Sequence, residues 1–117
     1  MSEKPVEQRR NSKRFKVSWA TRLLLPDKRI VAARTRDVSS GGIGFEYGDQ
    51  LPIGTELNVE LSPWSSGKQY IIRAKGVVTY TMILSGSSGF SHGFKFTMIP
   101  REQFEQLAEI LKVMEQN

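Results

Sequence analysis

Two short groups of polar residues have the types and spacing of a ligand-binding site. Arg10 and Arg14 form an Arg-x-x-x-Arg pair, and after 22 intervening residues Asp37, Ser39 and Gly42 form Asp-x-Ser-x-x-Gly. Guanidinium forks match phosphate oxygens and the O6 and N7 edge of guanine. A carboxylate accepts hydrogen bonds from amines and protonated ring nitrogens, and glycine lets a ligand approach the backbone closely. Together these residues predict a pocket for a guanine nucleotide that contains no catalytic groups.

Each group also has a simpler interpretation when it is taken alone. Two arginines four positions apart are common in a solvated basic tail, and Asp, Ser and Gly are residues that turns prefer for their own backbone hydrogen bonds. The order of the two groups, followed by Gly-Ile-Gly-Phe at 42–45 and His-Gly-Phe-Lys-Phe at 92–96, favours a shared site instead.

The chain that must position these groups is predicted to consist of short strands. Phe15–Leu23 alternates apolar and polar residues, which is typical of a half-buried strand that lets the chain fold back. Further strands are predicted over Arg29–Arg36, Ile43–Tyr47, Glu56–Leu61, Tyr70–Thr81 (with a bulge or corner at Gly76) and Gly93–Met98. Turns or loops are predicted over Pro26–Lys28, Asp37–Gly42, Pro63–Gly67 and Ser85–Gly89.

After Pro100 the apolar period becomes that of an amphipathic helix. The residues that follow this period are Phe104, Leu107, Ala108, Leu111 and Met114. About six antiparallel strands without intervening helices predict an all-β fold, a small six-stranded barrel with one C-terminal helix.

Basic charge is concentrated at the N-terminus. Residues 1–16 contain six basic and two acidic side chains, whereas the other 101 residues contain 11 basic and 10 acidic ones. A protein that binds long nucleic acids more often spreads basic charge over a face of its fold. Residues 1–13 contain only Val6 and the initiator Met1 as apolar residues. We therefore expect a mobile basic arm over 1–13 and one globular unit over 14–117.

The two groups resemble the signature of the PilZ family of cyclic di-GMP receptors, through Arg9–Arg14 and Asp37–Gly42. The resemblance extends over about residues 9–98 and shows no departure at the motif positions. It implies that Arg10 and Arg14 bind phosphate and guanine while the Asp-x-Ser turn faces the other side of a guanine. The ligand-binding residues that it implies are Arg9, Arg10, Arg14, Asp37, Ser39, Gly41, Gly42 and Tyr80.

Two of these roles leave alternatives open. The position of Arg9 resembles a selector in the family, where arginine accompanies two mutually intercalated ligands and a bulky apolar residue accompanies one; Arg9 is otherwise a solvated cation. Tyr80 stands where relatives often carry an aromatic that stacks on guanine, and it is equally a half-buried strand tyrosine.

Other features argue against an enzyme. The chain has no cysteine, and its single histidine, His92, has no second imidazole or spaced carboxylates for a metal site, so a structural or exposed role is expected. No phosphate-binding Walker loop, nucleophile elbow or pair of catalytic carboxylates is present. Trp19 is expected in the core and Trp64 on an exposed loop. We expect no cofactor and no metal.

The sequence thus predicts a cyclic di-GMP receptor that orders its arm on binding and then regulates an unidentified downstream protein. The sequence has no secretory signal and no apolar run of the roughly 18 residues that span a bilayer. We therefore expect a cytoplasmic bacterial protein without membrane insertion. We also expect a monomeric adaptor without an output domain. Two alternatives stay open: a nucleic-acid-binding barrel with a basic arm, which the nearly neutral body disfavours, and a protein-interaction module that has lost its ligand.

Overall fold

The computed structural model describes residues 13–86 and 88–116, which form nine strands and one helix. The strands are β1 (Phe15–Lys16), β2 (Ala20–Leu24), β3 (Ile30–Ser39), β4 (Gly42–Tyr47), β5 (Glu56–Leu61), β6 (Trp64–Ser65), β7 (Lys68–Gln69), β8 (Ile72–Ile83) and β9 (Phe90–Met98). The helix, α1, spans Arg101–Gln116.

Six of the strands close into an antiparallel barrel. Their order is β3-β2-β5-β8-β9-β4, and β4 pairs back with β3, so the described part of this sheet has no long open edge. The short strand β1 pairs with the end of β3, beside β2. The predicted six-stranded barrel with a C-terminal helix is confirmed.

The core lies inside the barrel and continues under α1. The inward positions of the strands alternate with exposed ones, as in the burial of Leu57, Val59 and Leu61 on β5. Helix α1 adds Leu107 and Ile110 to the same core. Trp19 is partly buried against the core, and Trp64 is exposed, as expected.

Several element boundaries differ from those that the sequence predicts. The segment predicted as one strand over Phe15–Leu23 is interrupted at residues 17–19, where the Trp19 N–H donates to the Thr35 side chain instead of a strand backbone. The segment Pro63–Gly67, predicted as a loop, contains β6 and the turn of the β6–β7 hairpin, and this turn has positive φ angles at Ser66 and Gly67. Such angles suit a tight two-residue hairpin turn.

The Asp-x-Ser group lies mainly on a strand and not in a turn. Strand β3 continues through Ser39, which pairs with Gly42, so the predicted turn Asp37–Gly42 shrinks to residues 40–41. The predicted irregularity at Gly76 is confirmed, because the register of β8 against β9 shifts between Lys75 and Gly76.

Candidate functional site

Strand β1 sets the position of Arg14. Phe15 pairs with Val38 and Lys16 with Asp37, so the same antiparallel register brings Arg14 opposite Ser39. The Arg14 guanidinium donates from Nη2 and Nε to Asp37 Oδ1, at 2.8 and 3.3 Å, and from Nη1 to Ser39 Oγ at 3.2 Å. The second arginine of the first group thus contacts the carboxylate and the hydroxyl of the second group.

The hairpin turn after Ser39 is held by this same hydroxyl. Ser39 Oγ accepts a hydrogen bond from the Gly41 N–H at 3.2 Å. Gly42 is required by close strand packing, because a Cβ atom there would collide with the Phe94 carbonyl of β9. The two glycines therefore belong to the scaffold that holds Ser39 beside Arg14.

Two β-bulges face each other on the outside of the barrel. On β3, Arg36 is an extra residue between the pairs Thr35–Phe45 and Asp37–Gly44. On β8, Thr79 is likewise extra between the pairs Val78–Phe94 and Tyr80–Gly93. Between the bulges, Gly44 of β4 pairs directly with Gly93 of β9. Because a bulge re-aims side chains, Arg36, Asp37, Thr79 and Tyr80 converge over these two glycines.

A hydrogen bond joins the two bulges. Arg36 Nη2 donates to the Tyr80 hydroxyl at 2.6 Å and lies 3.6 Å from Asp37 Oδ2. Burial alone would lower the pKa of the Arg36 guanidinium, but the Tyr80 hydroxyl and the charges of Asp37 and Glu46 outweigh burial and raise that pKa above its usual value. Arg36 therefore remains a cation beside the site.

Beside the Arg36–Tyr80 pair, a pocket of about 470 Å³ lies on the outer surface of the barrel, with Tyr80 in its wall. Six of the eight residues implied by the sequence line it: Arg14, Asp37, Ser39, Gly41, Gly42 and Tyr80. Arg9 and Arg10 lie outside the described residues, as does nearly all of the predicted arm. The volume falls within the roughly 300–1,000 Å³ range of small-molecule sites.

Sequence reasoning missed Thr79 and Lys95, which line the pocket, and Arg36, which contacts Tyr80 and Asp37 beside it. Arg36 and Thr79 adjoin residues that were identified, but strict alternation along a strand assigns neighbours to opposite faces, and only the bulges bring them to one face. Lys95 lies between Phe94 and Phe96, pairs with Gly42 and is exposed at the pocket wall. A lysine between two phenylalanines was the signal available in the sequence.

His92 does not line this pocket. It is fully buried, stacks on Phe45 with ring centroids 4.9 Å apart, and accepts a hydrogen bond at Nε2 from the Leu51 N–H at 3.0 Å. Burial lowers the pKa of His92 from its ordinary value, and the Phe45 backbone only partly opposes this. The expected structural role fits this environment. Within residues 13–86 and 88–116, no cluster of three potential metal ligands occurs.

The helix described here, α1, is not long and apolar enough to cross a membrane.

A protein-family model described as "PilZ domain" matches residues 8–112. No curated protein matches the chain. Among solved structures, the PilZ domain of YcgR from Escherichia coli, with c-di-GMP, has a TM-score of 0.71 and 18% identity and covers 93% of each chain. The inhibitor of motility MotI/DgrA of Bacillus subtilis has a TM-score of 0.77 and 16% identity, over 94% of this chain and 53% of the other.

A third similar structure is the MrkH–c-di-GMP complex of K. pneumonia, with a TM-score of 0.74 and 17% identity, over 93% of this chain and 52% of the other. The chain thus spans about half the length of MotI/DgrA and of MrkH. At these identities the structures show that the fold is shared.

Proposed function

The chain belongs to the PilZ domain family, and we propose that it is a receptor that binds cyclic di-GMP in the outer-surface pocket without altering it chemically. The observation that carries the proposal is that the Arg14 guanidinium lies within hydrogen-bond distance of both Asp37 and Ser39. The Arg14 guanidinium can bind phosphate and one edge of guanine, and the Asp37 carboxylate can accept hydrogen bonds from another edge of guanine. Their proximity therefore suits a guanine nucleotide.

The charges around the pocket suit a dianion. Cyclic di-GMP carries two phosphodiesters, and Arg14 and Lys95 are cations on the described wall. The Arg14 side chain is about half exposed, so an incoming phosphate can reach it. We infer that Arg10, four positions before Arg14, joins it on the ligand.

We propose that Asp37 reads a base edge. Its Oδ1 accepts both contacts from Arg14, whereas its Oδ2 has only the Arg36 ion pair at 3.6 Å among the described residues. A carboxylate oxygen in this position accepts hydrogen bonds from the N1–H and the 2-amino group of guanine, which adenine lacks.

We further propose how binding is transmitted. Binding by Arg10 and Arg14 together fixes the segment between them, so the arm over 1–13 is ordered against the barrel when the ligand binds. The ordered arm then presents a changed surface to a downstream protein partner.

The test is a calorimetric titration of the purified chain with cyclic di-GMP, cyclic di-AMP and a single-stranded oligonucleotide. We expect saturable binding of cyclic di-GMP, much weaker binding of cyclic di-AMP, and little binding of the oligonucleotide at 150 mM salt, where general phosphate contacts are weakened. Arg29→Ala serves as the control, because it removes an exposed cation in the β2–β3 turn, outside the pocket. Oligonucleotide binding that grows with length while cyclic di-GMP fails to bind would contradict the proposal.

A further inference from the structure

We propose that Arg36 and Tyr80 form a stacking platform for a guanine base, with Arg36 both contacting the base and holding the Tyr80 ring in place. This inference rests on the proposed function. It adds to that function Arg36, a residue outside both sequence motifs.

The two planar groups lie over the paired glycines. The position of a Cβ atom on Gly44 would be 2.8 Å from Arg36 Nη2 and 3.3 Å from its Cζ. A Cβ atom on Gly93 would collide with the Tyr80 ring and with Thr79 Oγ1. The guanidinium and the phenol ring therefore occupy the space that side chains would fill on the two central strands.

The backbone conformation does not explain these glycines. Neither Gly44 nor Gly93 has a positive φ, unlike Gly54, Gly67 and Gly86, which do. These glycines instead leave room for the neighbouring side chains. Larger residues in the middle of the β3–β4–β9–β8 face would lift Arg36 and Tyr80 off the barrel.

The two groups are joined to each other and open to solvent. The 2.6 Å hydrogen bond from Arg36 Nη2 fixes the Tyr80 hydroxyl. About a third of each side chain remains exposed, 35% for Arg36 and 36% for the Tyr80 residue. Nucleic-acid bases stack both on aromatic rings and on the plane of an arginine guanidinium. Because Arg36 also lies beside Asp37, a base on this platform has its edge near the Asp37 carboxylate.

The variants Arg36→Gln, Arg36→Lys, Tyr80→Phe and Tyr80→Leu separate stacking from charge. Arg34→Gln is the matched control, because Arg34 is an exposed arginine on the same strand whose guanidinium donates to Ser18, whereas that of Arg36 donates to Tyr80. Base stacking on one side chain is worth about 1–3 kcal/mol, so Arg36→Gln and Tyr80→Leu should each weaken cyclic di-GMP binding roughly 5- to 150-fold.

Arg36→Lys keeps the charge but not the plane or the fork, so we expect it to weaken binding almost as much as Arg36→Gln. Tyr80→Phe keeps the ring and loses only the link to Arg36, so its loss should be smaller. The double variant with Tyr80→Phe and Arg36→Gln should bind cyclic di-GMP as Arg36→Gln does, because Arg36→Gln already removes the hydrogen bond between the two side chains. Thermal unfolding of each variant checks that the barrel is retained.

Three outcomes would overturn parts of this account. If Arg36→Lys binds like the wild-type chain, Arg36 acts as a charge alone and the platform is wrong. If Arg36→Gln binds like Arg34→Gln, Arg36 does not contribute to the site. If the wild-type chain itself does not bind cyclic di-GMP, the proposed function fails, and this inference fails with it.

Discussion

Arg14 and Asp37 are 23 positions apart in the chain, and the Arg14 guanidinium donates two hydrogen bonds to one carboxylate oxygen of Asp37. This contact depends on β1, a strand of only two residues whose pairing with β3 fixes the register. The carboxylate is less exposed than its partner, at 21% against 50% of the side chain. Asp37 thus orients Arg14 from the barrel wall, and half of the arginine side chain stays exposed to solvent.

Removing either arginine of the first motif should weaken binding of cyclic di-GMP. Each hydrogen bond between charged groups contributes about 1.5–3 kcal/mol, so Arg14→Ala and Arg10→Ala should each lower the affinity roughly 10- to 150-fold in calorimetry. Arg29→Ala should leave the affinity unchanged, because it removes the same charge from an exposed turn. Near-wild-type affinity of both motif variants, with the fold intact, would exclude this role.

Selectivity for guanine should depend on the charge of Asp37. Asp37→Asn preserves the shape of the side chain but replaces one acceptor oxygen with a donor group. We expect the affinity for cyclic di-GMP to fall and its preference over cyclic di-AMP to shrink, as measured by parallel titrations. Ser39→Ala, which removes only the 3.2 Å contacts to Arg14 and the Gly41 N–H, should weaken binding without changing the preference. An unchanged preference in Asp37→Asn would assign base selection to another group.

The class of fold follows from the sequence because alternation with period two and helical periodicity are local signals. The core positions of β5, such as Leu57 and Val59, are visible in the alternation itself. The pairings of β2 with β5 and of β4 with β9 are not visible in this way, because each joins strands that are far apart in the sequence.

The candidate site was only partly predictable for the same reason. Arg14, Asp37 and Ser39 are recognisable from residue type and spacing, and the structure brings them together. Arg36 is not recognisable in this way, because the bulge adds one residue to β3 and breaks the alternation of faces along the strand. Nothing in the residue types around Arg36 signals this bulge, which is recognised only from the register against β4.

Ligand binding should protect the arm from amide exchange. The proposal requires the segment between Arg10 and Arg14 to be held against the barrel in the complex, so exchange at residues 9–13 should slow when cyclic di-GMP is added. The β6–β7 hairpin is the internal control, because Trp64–Gln69 contributes no residue to the pocket. Fast exchange at residues 9–13 with and without ligand would rule out ordering of the arm.

Two ligands should bind per chain if Arg9 acts as a selector. A stacked pair of cyclic di-GMP molecules carries four negative charges, and Arg9 adds a third guanidinium next to Arg10 and Arg14 to offset them. Native mass spectrometry counts the ligands directly, and Arg9→Leu should shift the count from two towards one. Saturation of the wild-type chain at one ligand would show that Arg9 has no such role.

Lowering the pH below neutrality should destabilise the barrel through His92. Because the folded pKa of His92 lies below its ordinary value of 6.5, the unfolded chain takes up the proton first. The stabilising contribution is therefore complete above about pH 6.5 and is lost as the pH falls below it, with a slope of at most about 1.4 kcal/mol per pH unit. Denaturant unfolding between pH 5.5 and 7.5 measures this slope, in a window where no other side chain ordinarily titrates. His92→Gln retains an acceptor for the Leu51 N–H but cannot titrate, so its stability should be lower and nearly independent of pH over this range. If the unfolding free energy of His92→Gln depends on pH as steeply as that of the wild-type chain, a group other than His92 takes up the proton.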